Sequence, residues 1–267
     1  MIRVLAFLEA TSVTGPVKNF LDFVRCQDQA GLSGEVRFEV ATFERPGVRN
    51  DFTQAVLASG VKLHFIPERF RLDTSVLERI RHLVAATRPD VLQTHSVKSH
   101  FLIRASGACA GRPWIAFHHG YTMTAARERL YNRLDRWSLR RPEHIVTVSS
   151  AFQQQLIRIA VPADRIVVLH NAVDPAWGER TRHPALRRSS RETLGIGESD
   201  RVLLIVGRLS SEKNHTLLLG AVARREALVP GVPVRRRIGG DGPERQTIGR
   251  TAATWGIDRQ LLMAGHA

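Results

Sequence analysis

Residues 73–95 read DTSVLERIRHLVAATRPDVLQTH, and this stretch carries both periodicities on which the fold turns. Val76, Leu77, Ile80, Leu83 and Val84 recur at the spacing of one helix face, behind Asp73, Thr74 and Ser75 as potential caps. The helical pattern runs over Val76–Ala86, and a short apolar strand pattern, Val91–Gln93, follows. Working outward, Ile2–Leu8, Val36–Phe43, Val61–Ile66, Trp114–Phe117, Ile145–Val148 and Ile166–Leu169 have the same strand character. They are short, rich in β-branched residues and continuously apolar, as parallel strands covered on both faces should be. Strands alternating with helix-length amphipathic segments predict βαβ units and a doubly wound sheet, so the class is α/β.

The alternation breaks at Asp174–Asp200, where Pro175, Gly178, Pro184, Gly195, Gly197 and a cluster of arginines leave no sustained apolar period. One short helix, Pro184–Leu194, fits inside it. A strand then opens at Arg201–Val206, followed by a helix at Asn214–Leu228, a strand at Val232–Ile238, a helix at Pro243–Trp255 and an apolar run at Leu261–Ala264. The expected organisation is a complete Rossmann-like domain over residues 1–172, an interdomain linker over 173–200 and a partial second Rossmann-like domain over 201–267.

Apolar residues make up 43% of the chain and charged residues 24%, enough for a real core. Cys26 and Cys109 form no CxxC spacing and are too few for a disulfide framework, which favours a reduced, cytoplasmic compartment. No apolar stretch reaches the roughly 18–20 residues that span a bilayer, and Met1–Ala10 reads as a buried strand rather than a secretory signal. The formal charge is +14, with only four lysines among 39 basic residues. Such an arginine excess arises from coding composition or from attraction to anions: nucleotide diphosphates or an anionic membrane surface. On the second reading Lys98, Arg104 and the helix Arg127–Arg141 are the expected membrane-facing basic residues. Nucleic-acid binding is not expected, because aromatics are 6% and no basic stripe is interleaved with them.

The densest chemistry lies in Val206–Asn214, VGRLSSEKN. A strand read as buried ends at Gly207, and Arg208 and Lys213 bracket a short turn at a helix start, with Ser210 and Ser211 as possible caps. Two cations and free backbone N–H groups at a strand's carboxyl end suit a diphosphate, although an ordinary solvated loop would look the same. This segment resembles the donor-diphosphate motif of the family 4 glycosyltransferases. Six more segments resemble that family in the same order: Thr14–Pro16, Asp90–Ser96 with Lys98, Phe117–Gly120, Val146–Ser149, His170–Asp174 and Gly239–Pro243. Departures are Thr14 and Val17 in the first loop, Ala172 at the hinge, and Arg235, Arg236 and Arg237 within a strand normally apolar. The family's E-x7-E segment also lies beyond residue 267, so truncation within the donor-binding domain is expected.

The resemblance implies the two-domain GT-B fold and hexosyl transfer, with retention, from a nucleoside-diphosphate sugar to a lipid-linked or saccharide acceptor. A catalytically incomplete fragment serving as a binding module is the alternative. His119 would lie near the transferred sugar, with His118 in its place if the register differs by one. Arg208, Lys213, Gly207, Gly15, Asp241 and Gly242 would meet the donor, and His95 and Lys98 the acceptor side. Structural roles remain open for these histidines and glycines. No D-x-D or other metal-spaced carboxylate pair occurs, so neither metal nor cofactor is expected. The expected location is cytoplasmic, peripheral on the inner face of the plasma membrane.

Overall fold

Strand and helix alternate from the first residues: β1 (Ile2–Phe7), α1 (Gly15–Gln29), β2 (Val36–Glu44), α2 (Asp51–Ala58), β3 (Lys62–Pro67), α3 (Ser75–Thr87) and β4 (Val91–Thr94). Then come α4 (Val97–Ser106), β5 (Trp114–His118), α5 (Ala126–Ser138), β6 (His144–Thr147), α6 (Ser150–Arg158) and β7 (Ile166–Val168). The computed structural model describes residues 1–32, 34–44, 50–70, 72–120, 126–172, 175–228, 234–258 and 261–265. The chain divides into two compact units, Met1–Ala172 and Val173–Ala267.

In the first unit the strands are all parallel, in the order β3-β2-β1-β4-β5-β6-β7. Alternate side chains serve two cores, because successive residues of a strand face opposite ways. Leu5, Phe7, Ala41, Ile66, Leu92, Trp114 and Ile145 pack with Ile80 and Val84 of α3, Ile103 of α4 and Leu156 of α6. Ala6, Leu8 and Val40 pack with Val17, Phe20 and Val24 of α1 and with Phe52 and Val56 of α2. The first two crossovers therefore lie on one face and the later ones on the other. Right-handed crossovers require this when the strand order reverses direction, and the reversal falls between β1 and β4.

Local chemistry sets the helix ends. Ser96 and Ser99 cap α4 reciprocally, the Ser96 hydroxyl accepting from the Ser99 amide at 3.2 Å and the Ser99 hydroxyl from the Ser96 amide at 3.0 Å. Asn50 and Thr53 do the same for α2. Helix α3 ends with Arg88 in the left-handed region, φ 46°, immediately before Pro89, whose ring disfavours helical backbone in the residue before it. Covering on both faces, expected for every strand, fails at the sheet edge, where β3 buries only Ile66.

The second unit begins with α7 (Pro175–Thr181) and α8 (Pro184–Thr193), then β8 (Arg201–Val206), α9 (His215–Leu228), β9 (Val234–Gly239), α10 (Arg245–Thr254) and β10 (Leu261–Gly265). Helix α7 occupies residues read from sequence as irregular. Proline has no N–H to lose in a first helical turn, so Pro175 starts a helix where it was read as a break. The three strands are parallel in the order β10-β9-β8, and β9 runs through Arg235–Arg237. Ile205, Ile238, Leu261 and Met263 pack with Leu219 and Val222 of α9 and Ile248 and Ala252 of α10. The sequence reading of β8 as a buried strand is corrected here. It is an edge strand with helices packed on one face, and Leu204 and Val206 are 60% and 71% exposed. Among the described residues no helix is long and apolar enough to cross a membrane.

One buried hydrogen bond staples β4 to β5: the Trp114 indole N–H donates to the Thr94 hydroxyl at 2.9 Å, with both residues nearly inaccessible. Replacing Thr94→Val keeps the shape and leaves that donor unpaired, which costs about 1–3 kcal/mol. Urea unfolding of the variant should show a lowered midpoint. An unchanged midpoint would mean that the indole finds another acceptor.

Candidate active site

The strand reversal places the ends of β1 and β4 side by side, and ligands of open α/β sheets bind in the crevice at such a point. Gly15 opens α1 on one side of it and His95 follows β4 on the other. A Cβ added to Gly15 would meet nothing within 4 Å, so the protein's own packing does not demand a glycine there. At Gly120, just past β5, the demand is internal. Its φ is +94° and a Cβ would strike the Phe152 ring.

Side-chain alternation along β5 separates the two adjacent histidines. His119 turns toward α1 and joins a stack with His95 and Phe117: ring centroids lie 4.5 Å apart for His95–Phe117 and 5.9 Å for His95–His119. Phe20 of α1 closes on His95 edge-to-face at 6.0 Å, and Gln93 meets the His95 Nε2 at 2.7 Å. His118 turns to the other face and is buried. Its Nδ1 lies 3.8 Å from Asp135 of α5, whose other carboxylate oxygen is 2.7 Å from His100 of α4. Of the two histidines weighed for the reaction, only His119 stands with His95.

Burial governs the ionisation of this group. It pushes His119 down to about 4, with nearby His100 adding to the effect. Burial likewise lowers His118 to about 4, against the opposing pull of Asp135, and holds His95 well below the usual histidine range. All three are therefore neutral at physiological pH, and the rings of His95 and His119 bring hydrogen-bonding capacity rather than charge to the strand ends.

Lys98 lies one helical turn beyond His95, but it is not the free surface cation that the sequence invited. Its ammonium donates to Glu9 at 2.8 Å and to Glu68 at 2.9 Å and sits 4.5 Å above the Phe43 ring. Arg104 is engaged too, with its guanidinium 3.8 Å from the Trp137 ring centroid and a hydrogen bond to the Trp137 carbonyl. Residues 121–125 lie outside the described residues, as do Val173 and Asp174 of the 170–174 segment. These ion pairs join residues 30 and 89 positions apart, and no local pattern announces them. Gln93 was findable, since it sits two residues before His95 and so shares its strand face. The buried pair of His100 and Asp135 carried no sequence signal.

In the second unit the carboxyl ends of β8 and β9 form a braced loop. The Leu209 amide donates to the Asp241 carbonyl at 3.0 Å, the Glu244 amide to the Leu209 carbonyl at 3.0 Å and the Gly207 amide to the Gly239 carbonyl at 2.9 Å. A Cβ on Gly240 would overlap the Gly207 carbonyl oxygen, and one on Gly242 would overlap that of Leu209. The glycines and Asp241 thus hold the β8 loop in place, and the Asp241 carboxylate accepts from the Gly242 amide at 2.8 Å. His215, fully buried, reaches the Arg208 carbonyl at 3.2 Å, and Asn214 takes the left-handed turn, φ 49°. Arg208 and Lys213 are exposed, and among the described residues neither closes an ion pair within 4 Å. The Glu212 carboxylate between them accepts from the Ser210 hydroxyl at 2.6 Å; that bond foremost, with both cations contributing, lowers its pKa. Among the described residues no three His, Cys, Asp or Glu side chains gather as metal ligands.

The sequence profile of Glycosyltransferase Family 4 matches residues 20–177. The chain belongs to that family. Solved structures with the same architecture include the Anabaena protein HepE in complex with UDP, at 16% identity and TM-score 0.78, covering 100% of this chain and 70% of that one. A glycosyltransferase from Rickettsia africae aligns at 14% identity and TM-score 0.72, over 100% and 68% of the two chains. Sucrose-phosphate synthase from Thermosynechococcus elongatus aligns at 12% identity and TM-score 0.70, over 100% and 71%. No curated protein matches the chain. These likenesses give the family 4 enzyme the GT-B fold, and it is a glycosyltransferase.

A histidine neutral in the folded family 4 enzyme down to about pH 4 titrates near 6.5 once unfolded, so the unfolded chain binds more protons in between. Stability therefore rises with pH across that window and is lost as pH falls through it. The thermal midpoint should drop between pH 7 and pH 5, and less steeply in His119→Gln. A flat profile in the wild type would show that these rings are already solvated.

Proposed function

We propose that the chain transfers a hexose from a nucleoside-diphosphate sugar to a lipid-linked or saccharide acceptor, with retention of the anomeric configuration. The observation that carries this reading is the Gly207–Lys213 loop, which presents two cations without ion partners among the described residues at the carboxyl end of β8. The loop's shape is fixed by its own backbone contacts, and its charges are left for a ligand. HepE has been solved with UDP and with UDP-glucose, which supports a uridine diphosphate donor as the first to test.

In the proposed reaction the bond between the sugar's anomeric carbon and the diphosphate oxygen breaks, and its electron pair leaves with the diphosphate. Arg208 and Lys213 stabilise that growing negative charge, a role that needs no metal. The acceptor hydroxyl bonds to the anomeric carbon from the face the diphosphate leaves, and its proton passes to the departing phosphate oxygen. Such same-face attack accounts for retention without an enzymic nucleophile. His119, neutral and fixed by its stack with Phe117 and His95, is assigned to a hydroxyl of the transferred sugar. Gly15 is assigned to close passage of the donor beside the start of α1, where it leaves open space. Gly207, Asp241 and Gly242 shape the donor loop, while His95 and Lys98 stand on the acceptor side, Lys98 by clamping the rim.

Titration calorimetry with UDP tests the donor assignment. Arg208→Ala should weaken binding by about 1.5–3 kcal/mol, the loss of a charge-assisted contact, and Lys213→Ala by a similar amount. Equal affinity in wild type and variants would remove this loop from the donor site.

A further inference from the structure

Asp135 of α5 is 1% exposed, and the proposed transfer assigns it no task. Stability alone gives little reason to keep a carboxylate there, since replacing a buried charged group and its partners by apolar side chains is often neutral or stabilising. Its polar neighbours, His100 and His118, are buried with it. One carboxylate oxygen accepts from Nδ1 of His100 on α4 at 2.7 Å. The other has no hydrogen-bond partner among the described residues and lies 3.8 Å from Nδ1 of His118, the last residue of β5. That separation is long for a hydrogen bond. The carboxylate charge still favours the tautomer with the His118 proton on Nδ1 and turns that N–H toward Asp135.

His118 is fixed from two further sides. The Thr147 hydroxyl of β6 donates to the His118 carbonyl at 3.1 Å, and the Phe152 ring of α6 meets the His118 ring edge-to-face, centroids 6.0 Å apart. The same Phe152 ring fills the space that a Cβ on Gly120 would need, so it abuts the residues on both sides of His119. Ser149 fixes Phe152 in turn, its hydroxyl accepting from the Phe152 amide at 3.3 Å. His119 has only ring contacts on its own face, and its Nε2 has no hydrogen-bond partner among the described residues. Its aim therefore follows from the backbone that carries it. Successive side chains of a strand share that backbone and point to opposite faces, so a turn of His118 about the strand axis turns His119 by the same angle. We propose that Asp135 is a positioning residue, which holds the His118 ring on one face of the sheet and thereby sets His119 beside His95 on the other. The inference rests on the proposed function in one respect only, the assignment of His119 to a hydroxyl of the transferred sugar.

Histidine ring resonances of the full chain, read by NMR, test it. Wild type should carry the His118 proton on Nδ1. Asp135→Asn keeps the side chain's size, accepts from His100 through its oxygen and presents an amide N–H to His118, so the His118 proton should move to Nε2. The His119 ring resonances should shift with it, while those of His64, held by Glu39 on edge strand β3, stay in place. Titration calorimetry on the same variant should show UDP affinity unchanged and the preference for UDP-glucose over UDP lost, as in His119→Ala. The double variant should lose no more than either single one, because Asp135 acts through His119. A wild-type His118 protonated on Nε2, a measurement that needs no variant to fold, overturns the proposal, as does a His119 ring unmoved in Asp135→Asn. UDP affinity that falls together with that for UDP-glucose also overturns it, as the mark of a general loss of structure. A moved His119 ring with the UDP-glucose preference kept supports the positioning and removes the sugar assignment of His119, so the two readings fail separately.

Discussion

A parallel strand can be followed by another in the same sheet only after a crossover, and this constraint places the strand-end residues of the first unit. It sends the carboxyl ends of all seven strands of the first sheet to one edge, and it makes the first two crossovers pack on the face opposite the later ones. Between β1 and β4 the following helices diverge, leaving a crevice that backbone geometry alone creates. Gly15 and His95 flank it because of where they fall in the chain order. No further interaction has to bring them together.

Within that frame a one-residue register decides which histidine stands with His95. The pleat sends His118 toward His100 and Asp135 and sends His119 toward His95, so two adjacent and chemically identical side chains have unrelated surroundings. The first is part of a buried polar cluster between β5, α4 and α5. The second keeps a neutral ring aligned with its neighbours by stacking. The second unit uses a different device for the same purpose. Its β8 loop is positioned by backbone pressed against backbone, and Gly240 and Gly242 are required because no Cβ fits between them and the loop they support.

The first sheet was legible in the sequence because its strands are short apolar runs separated by helical periodicity, as in residues 73–95. So was the position of Gly207–Lys213 directly after a strand. Three things were not legible, each for a physical reason. The exposure of Leu204 and Val206 depends on what packs beside β8, which a strand's own composition does not record. Pro175 reads equally as a break or as the first turn of a helix. Lys98 looked like a free surface cation because Glu9 and Glu68, which hold it, are distant in sequence and meet it only through the strand order. A cation's availability is a tertiary property, and that is why Lys98 and Lys213, similar in sequence context, differ in the folded chain.

The claim on which the account depends most is that the strand-end loops, the β8 loop above all, receive the nucleotide. Backbone amide shifts on titration with UDP, read by NMR, test it directly. The account predicts shifts concentrated at Gly207–Lys213 and at the Gly239–Gly242 turn that supports it, with smaller ones near Gly15 and His119. Shifts confined to the amino ends of the strands, with the β8 loop silent, would contradict it.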